Sequence, residues 1–172
     1  MTRKEAIIAG AASLSALAMA AQSGRAEEAA EPNPEVTKIR ALLTAHDKAM
    51  TNHDLGGVVK CLTENAAIMG TGPGEFWVGP EEIKIAYEHF FETFEKGAQH
   101  FEYQFRIGGV GADMGWLMAS GNVTAKKEGK EFAFPLNISL TVAKQSDAWR
   151  IAAMHFSTLT GDTAAQEEKT IS

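Results

Sequence analysis

One cysteine, Cys61, stands among 172 residues, so an internal disulfide and a cysteine metal cluster are both excluded. Cys61 sits on a short apolar helical run and reads as a small buried hydrophobe rather than a reactive thiol. Basic residues are also in deficit, 16 against 22 acidic, for a net charge of −6. No basic stripe runs along any predicted element, which argues against nucleic acid as a partner. The glycines Gly70, Gly72 and Gly74 lack the lysine and hydroxyl residue that a phosphate-binding loop needs. Only two tyrosines are present, Tyr87 and Tyr103, and no nucleophile–base pair is visible. His46-Asp47 and His53-Asp54 repeat seven apart, but adjacent helical residues diverge, so no metal cage is expected.

What is present begins with Arg3 and Lys4, an apolar run from Ile7 to Ala21, and the small-x-small end Gly24-Arg25-Ala26. Residues 1–26 therefore read as a secretory signal peptide, and the expected location is periplasmic or secreted, in a bacterium. The run is too short and too alanine-rich for a membrane span, so no stable membrane association is expected after cleavage. Residues 27–33 read as a flexible leader, 34–160 as one domain, and the polar residues 161–172 as a disordered tail.

The domain is organised around Gly70 to Phe94: a strand end, a glycine loop, a short strand Phe76 to Val78, and a helix from Pro80. Pro80 suits the first helical position, and Glu81 and Glu82 suit the positive end of the helix dipole. Ile83, Tyr87, Phe90 and Phe94 share one face of it. Before this lies a helix from Pro34 whose stripe is Val36, Ile39, Leu43, His46 and Met50, leaving Asp47 and Lys48 to point away. Asp54 is set to cap a second helix, Leu55 to Leu62. A short strand, Ala66 to Met69, precedes the glycine loop.

After the aromatic helix the pattern turns to strands. His100 to Ile107 alternates, with Phe101, Tyr103, Phe105 and Ile107 opposite His100, Glu102, Gln104 and Arg106, and Gly108, Gly109 and Gly111 close it. Asp113 to Lys126 puts Trp116, Met118, Ser120 and Asn122 on one face. A hairpin turn at Lys127-Glu128-Gly129-Lys130 leads to Glu131–Ala143, where Pro135 suggests a bulge or an edge. Trp149, Ile151, Ala153, His155 and Ser157 share one face of the last strand. Helices followed by a long meander make an α+β plan: N-terminal helices packed into a strongly curved, antiparallel or mixed sheet. Alternation gives each strand two faces without saying which is inside.

Element order and the motifs Asn52-His53-Asp54, Gly72–Glu75, Trp77-Val78-Gly79 and Trp149-Arg150-Ile151-x-x-x-His155-x-Ser157 resemble the SnoaL-like family of the nuclear-transport-factor-2-like (NTF2-like) superfamily. The closing pattern is also similar to the association domain of calcium/calmodulin-dependent kinases. The resemblance implies a cone-shaped α+β barrel, often a homodimer through the outer face of its sheet. It implies a small apolar or aromatic ligand in the cone, with cofactor-free isomerase, cyclase or dehydratase chemistry in some members and no catalysis in others.

Two histidines could carry acid–base chemistry near neutral pH: His46 on the inward stripe, and His155 on the last strand, where the family pattern keeps a histidine. For each, the competing role is a core histidine satisfied by a neighbour. Trp77, Trp116, Tyr87 and Phe91 are candidate ligand contacts, set against simple core packing. Glu75 near the cone's mouth is a candidate polar contact, set against a solvated turn, and Asn137, Glu102 and Arg106 are candidate inward polar contacts, set against an outer dimer surface. A two-histidine-one-carboxylate metal site from His46, His155 and Glu75 is conceivable on residue type alone and not expected.

Overall fold

The computed structural model describes residues 33–158; the expected signal peptide, the tail and all but the last residue of the leader lie outside the described residues. The order is α1 (Pro34–Thr51), α2 (Leu55–Lys60), β1 (Leu62–Met69), β2 (Phe76–Val78), α3 (Gly79–Thr93), β3 (His100–Val110), β4 (Met114–Lys127), β5 (Lys130–Gln145) and β6 (Ala148–Ser157). The strands form one sheet in the order β2-β1-β6-β5-β4-β3. Only the β1–β6 pair is parallel, so the sheet is mixed, and helices lie across one face of it. The expected α+β cone plan is present.

Local chemistry sets the helix ends. Asn33 accepts a 2.9 Å hydrogen bond from the Glu35 amide and Pro34 follows at the first helical position, so α1 starts where those residues dictate. Asp54 caps α2 by accepting from the Gly57 amide at 2.9 Å. Helix α2 is shorter than its sequence pattern, because Leu62 already pairs with Ile151 as the first residue of β1. The Val78 amide donates to Glu82 at 2.8 Å, which satisfies one of the free donors at the start of α3. Glu35 ties α1 to the β5–β6 hairpin by accepting from the Trp149 indole at 2.6 Å and pairing with Lys144 at 3.2 Å. Hydrogen bonds from Lys38 and then Trp149, with Lys144 beside them, hold its carboxyl down to about 2.

The core lies between the helices and the near half of the sheet. Ile39, His46, Ile83 and Tyr87 face Ile68, Leu117, Leu140, Val142, Ile151 and Met154, all buried. Toward the start of β3 and β5 the inward residues Phe101, Tyr103, Phe132, Phe134, Leu136 and Ile138 are only half-buried, because the helices cover the other end. The cone is open on that side.

Two bulges change the reading of the strands. On β3, Tyr103 pairs with Gly121 and Phe105 with Ser120, so Gln104 is an extra residue. A one-residue slip exchanges the two faces. Phe101 and Tyr103 point inward, but beyond the bulge Phe105 and Ile107 point outward and Arg106 inward. On β6, Thr141 pairs with Ala153 and Val142 with Ile151, so Ala152 is extra. Trp149 and Ile151 face the core, while Ala153, His155 and Ser157 face outward. The expected single faces of both strands are therefore corrected.

Two smaller corrections concern Gly108-Gly109 and Pro135. The glycines do not end β3; they pair with Leu117 and Trp116. A Cβ on Gly109 would stand 2.9 Å from the Trp116 indole nitrogen, so the glycine makes room for that ring on the outer face. Pro135 is not in an edge strand, since β5 lies between β4 and β6. Its carbonyl accepts from the Thr158 hydroxyl, and β5–β6 pairing reaches only Asn137. Its missing N–H therefore faces the side where β6 has ended, and no ladder bond among the described residues is lost.

Candidate functional site

The inner wall of the cone is aromatic with a small polar ensemble. Phe90 of α3 and Phe94 just past its end meet tilted with ring centres 4.6 Å apart, Phe94 meets Phe132 at 5.5 Å, and Phe101 meets Tyr103 at 4.6 Å, edge to face. The polar groups come from α1, α3 and β3. His46, on the buried stripe of α1, hydrogen-bonds through Nε2 to the Tyr87 hydroxyl of α3 at 2.8 Å. Asp47 does not point away from the domain. Its carboxylate is 42% exposed and lies 3.6 Å from His46 Nδ1. It belongs to a second stripe of α1, Val36, Arg40, Leu43 and Asp47, spaced four, three and four beside the core stripe.

Burial and charge act on both tyrosines. Burial raises the Tyr87 phenol well above its ordinary value, and the Asp47 charge raises it further. Burial also raises Tyr103, with the Asp47 charge second and Arg106 opposing both. Both phenols therefore stay protonated and act as donors. The Tyr87 hydroxyl and His46 Nε2 share the 2.8 Å hydrogen bond, and His46 Nδ1 faces Asp47. The result is a half-exposed carboxylate beside His46, with Tyr87 behind that histidine and with its charge felt by Tyr103 on the facing strand.

The structure brings together some of the residues singled out from sequence and separates others. His46, Tyr87 and Phe91 lie on the helices against the inner wall, and Trp77 packs on the same side beside Ile68. His155 is exposed on the outer face between Met69 and Ser139. Trp116, 45% exposed, and Asn137 are on that outer face too. Glu75 is exposed and accepts from the Gly72 amide at 2.8 Å, so its carboxylate closes the glycine loop. His155, Trp116 and Asn137 thus do not share a space with His46. Sequence reasoning missed Asp47, whose signal was the second stripe, and left the face of Arg106 open together with Glu102 and Asn137; the bulge turns Arg106 inward and leaves the other two on the outer face.

His53 is a further inward group. It holds a left-handed φ of 54° in the α1–α2 turn and stacks on Phe91 at 4.5 Å. Its Nε2 is buried without a partner among the described residues. Burial, then the Lys96 charge, pushes its pKa below the usual 6.5. The unfolded chain therefore binds the proton first, so the stability tied to neutral His53 is whole above 6.5 and is lost as pH falls below it. Urea midpoints should drop between about pH 7 and 5, and His53→Asn, which tolerates the left-handed backbone, should flatten that slope.

Outside the cone, a cleft of about 360 Å³ runs between α1 and the β5–β6 turn, floored by Leu42, Ala45, Cys61 and Trp149 and flanked by Lys38, Lys60, Asp147 and Arg150. Burial raises the Cys61 thiol, which also donates to the Gly57 carbonyl at 3.4 Å, so it stays a thiol.

Known proteins with this architecture are numerous. An NTF2-like protein of unknown function from Pseudomonas putida superposes with a TM-score of 0.65 at 13% identity, covering 76% of this chain and 91% of the other. A provisionally named dehydratase of the NTF2-like family from Streptomyces avermitilis gives 0.66 at 15%, covering 76% and 100%. A ketosteroid isomerase-like protein from Erwinia carotovora atroseptica gives 0.61 at 22%, covering 75% and 99%. At these identities the likeness establishes the fold alone. No protein of curated function matches the sequence. The SnoaL-like domain model matches residues 39–161, most of the chain. With the helices, the six-stranded mixed sheet and the open inner wall in place, the chain belongs to the SnoaL-like family of the NTF2-like superfamily.

Proposed function

We propose that the cone binds a small, largely apolar ring compound and moves a proton on it without a cofactor. One observation carries this: the half-exposed carboxylate of Asp47 acts through its charge on Tyr103, a phenol held protonated on the aromatic inner wall. Asp47 takes a proton from a carbon next to a carbonyl, and Tyr103 donates a hydrogen bond to the enolate oxygen that forms. Returning the proton to another carbon is an isomerisation; loss of a β-hydroxyl as water is a dehydration. His46 and Tyr87 orient the carboxylate. The dehydratase and ketosteroid isomerase-like names among proteins of this fold agree with that class of chemistry. The test is proton exchange in deuterium oxide on a cyclic ketone such as 2-tetralone, followed by NMR. Exchange no faster than in buffer would remove the catalytic reading.

A second reading, a non-catalytic binding or assembly module, is favoured by a different observation. Eight large apolar residues stand exposed on the outer sheet face, among them Phe76, Phe105, Trp116 and Met118. In either reading we propose a homodimer through that face. Export rests on the charged start and apolar run of residues 1–26, and osmotic-shock release of a processed protein tests it.

A further inference from the structure

We infer that Arg106 sets the ligand class of the cone: a ring compound bearing a carboxylate or an equivalent anionic oxygen. This rests on the reading of the cone as a ligand site. The bulge at Gln104 turns Arg106 inward, where its strand partner is Ala119, whose small side chain leaves the guanidinium room. The guanidinium lies over the Tyr103 ring, 5.2 Å from its centre. Arg106 is half-buried, and no described residue makes a salt bridge or a side-chain hydrogen bond to it. An arginine on a solvent face needs no partner, but one aimed into an apolar space presents five donors in a fixed fork that matches a carboxylate.

The surroundings sharpen the field of that charge. Leu136 and Ile138 of β5 and Phe101 of β3 share the inner face and bring no competing polarity. The low effective dielectric of such a wall strengthens attraction to an anion. Arg40, two turns before Asp47 on the second stripe of α1, adds a positive charge whose Nε is buried without a partner among the described residues. Asp47 is the opposing charge. It stands more than 4 Å from Arg106, since no ion pair joins them, and so gives the site a polarity. The anionic group sits at Arg106 and the acidic C–H of the ligand is turned toward Asp47.

Two probes of matched shape test this: 2-naphthoate and its neutral counterpart 2-acetylnaphthalene, titrated by calorimetry into the full-length protein. Naphthoate should bind about tenfold tighter or more, and Arg106→Gln should bring the ratio close to one while leaving the neutral ketone's affinity in place. Ile138→Trp, which fills the inner wall, should abolish both. Circular dichroism and urea midpoints show whether each variant is folded. Equal binding of the two probes, or a ratio unchanged in folded Arg106→Gln, overturns the role of Arg106 and leaves the cone as a ligand site. Probe binding that survives in folded Ile138→Trp, or no binding at all, overturns the cone reading and this inference with it.

Discussion

Asp47→Asn should slow protein-catalysed exchange on a cyclic ketone by about 10²- to 10⁴-fold, the range that a positioned general base supplies. The substitution keeps the shape of the side chain and removes only its basicity. The 2.8 Å hydrogen bond between His46 and Tyr87 does not involve the Asp47 side chain, so the wall behind it should stand and the loss should report chemistry rather than collapse. Tyr103→Phe should cost less, on the order of 10- to 100-fold, because it removes one donor to the enolate from a half-exposed wall. His155→Gln should stay within about twofold of the unsubstituted protein, since the ring lies across the sheet from the cone. The pattern is diagnostic. A slow His155→Gln with an active Asp47→Asn would relocate the chemistry to the outer face. Equal losses in all three would mean that the assay reads folding, which urea midpoints would show directly.

That contrast between Asp47 and His155 also shows how far sequence reaches. The helix stripes were legible because a 3.6-residue period is strict: Ile39 and His46 are buried where the spacing put them, and Tyr87 of α3 meets His46 across the core. The strand pattern Trp116, Met118, Ser120 and Asn122 is one face, as the two-residue period requires. What alternation does not carry is a label for inside or a mark where it breaks. One extra residue at Ala152 turns His155 outward although Trp149 and Ile151 point in. One extra residue at Gln104 turns Arg106 inward although Tyr103 already points there. The signs of the second bulge lie on the neighbouring strand: a Cβ at Gly121 would meet the Glu102 carbonyl and the Phe101 ring, so β3 and β4 approach closely there. Asp47 was hidden differently. A carboxylate next to a buried histidine reads as the solvent side of a helix, but α1 faces two things at once, the core along one stripe and the open cone along the next.

The outer face bears the second large effect: the protein should run at twice the protomer mass in light scattering, and Trp116→Glu should leave protomers. Partners across the sheet put Phe76, Met69, His155, Ser139, Met118 and Ile107 in one row, and Val78, Ala67, Ala153, Thr141, Trp116 and Gly109 in the next. The large apolar members of both rows are 44–54% exposed. A contiguous apolar band of this kind on an exposed sheet face marks a contact surface. A second copy fits it best, because the two rows hold no acidic or basic residue except His155, and a two-fold contact sets each row against itself. Acidic residues there would repel across the axis. Trp116→Glu does this deliberately, and Gly109 beneath the ring offers the new carboxylate no partner. Loss of an aromatic anchor plus like-charge repulsion should weaken the dimer at least about 100-fold, near 2.7 kcal/mol. Exchange on the ketone should persist in the protomer, since Asp47, His46, Tyr87 and Tyr103 all come from one chain and open on the opposite side of the sheet. Unsubstituted protein that is already monomeric at about 100 μM, some hundred times a typical micromolar dissociation constant, would remove the dimer and leave the band to a different partner.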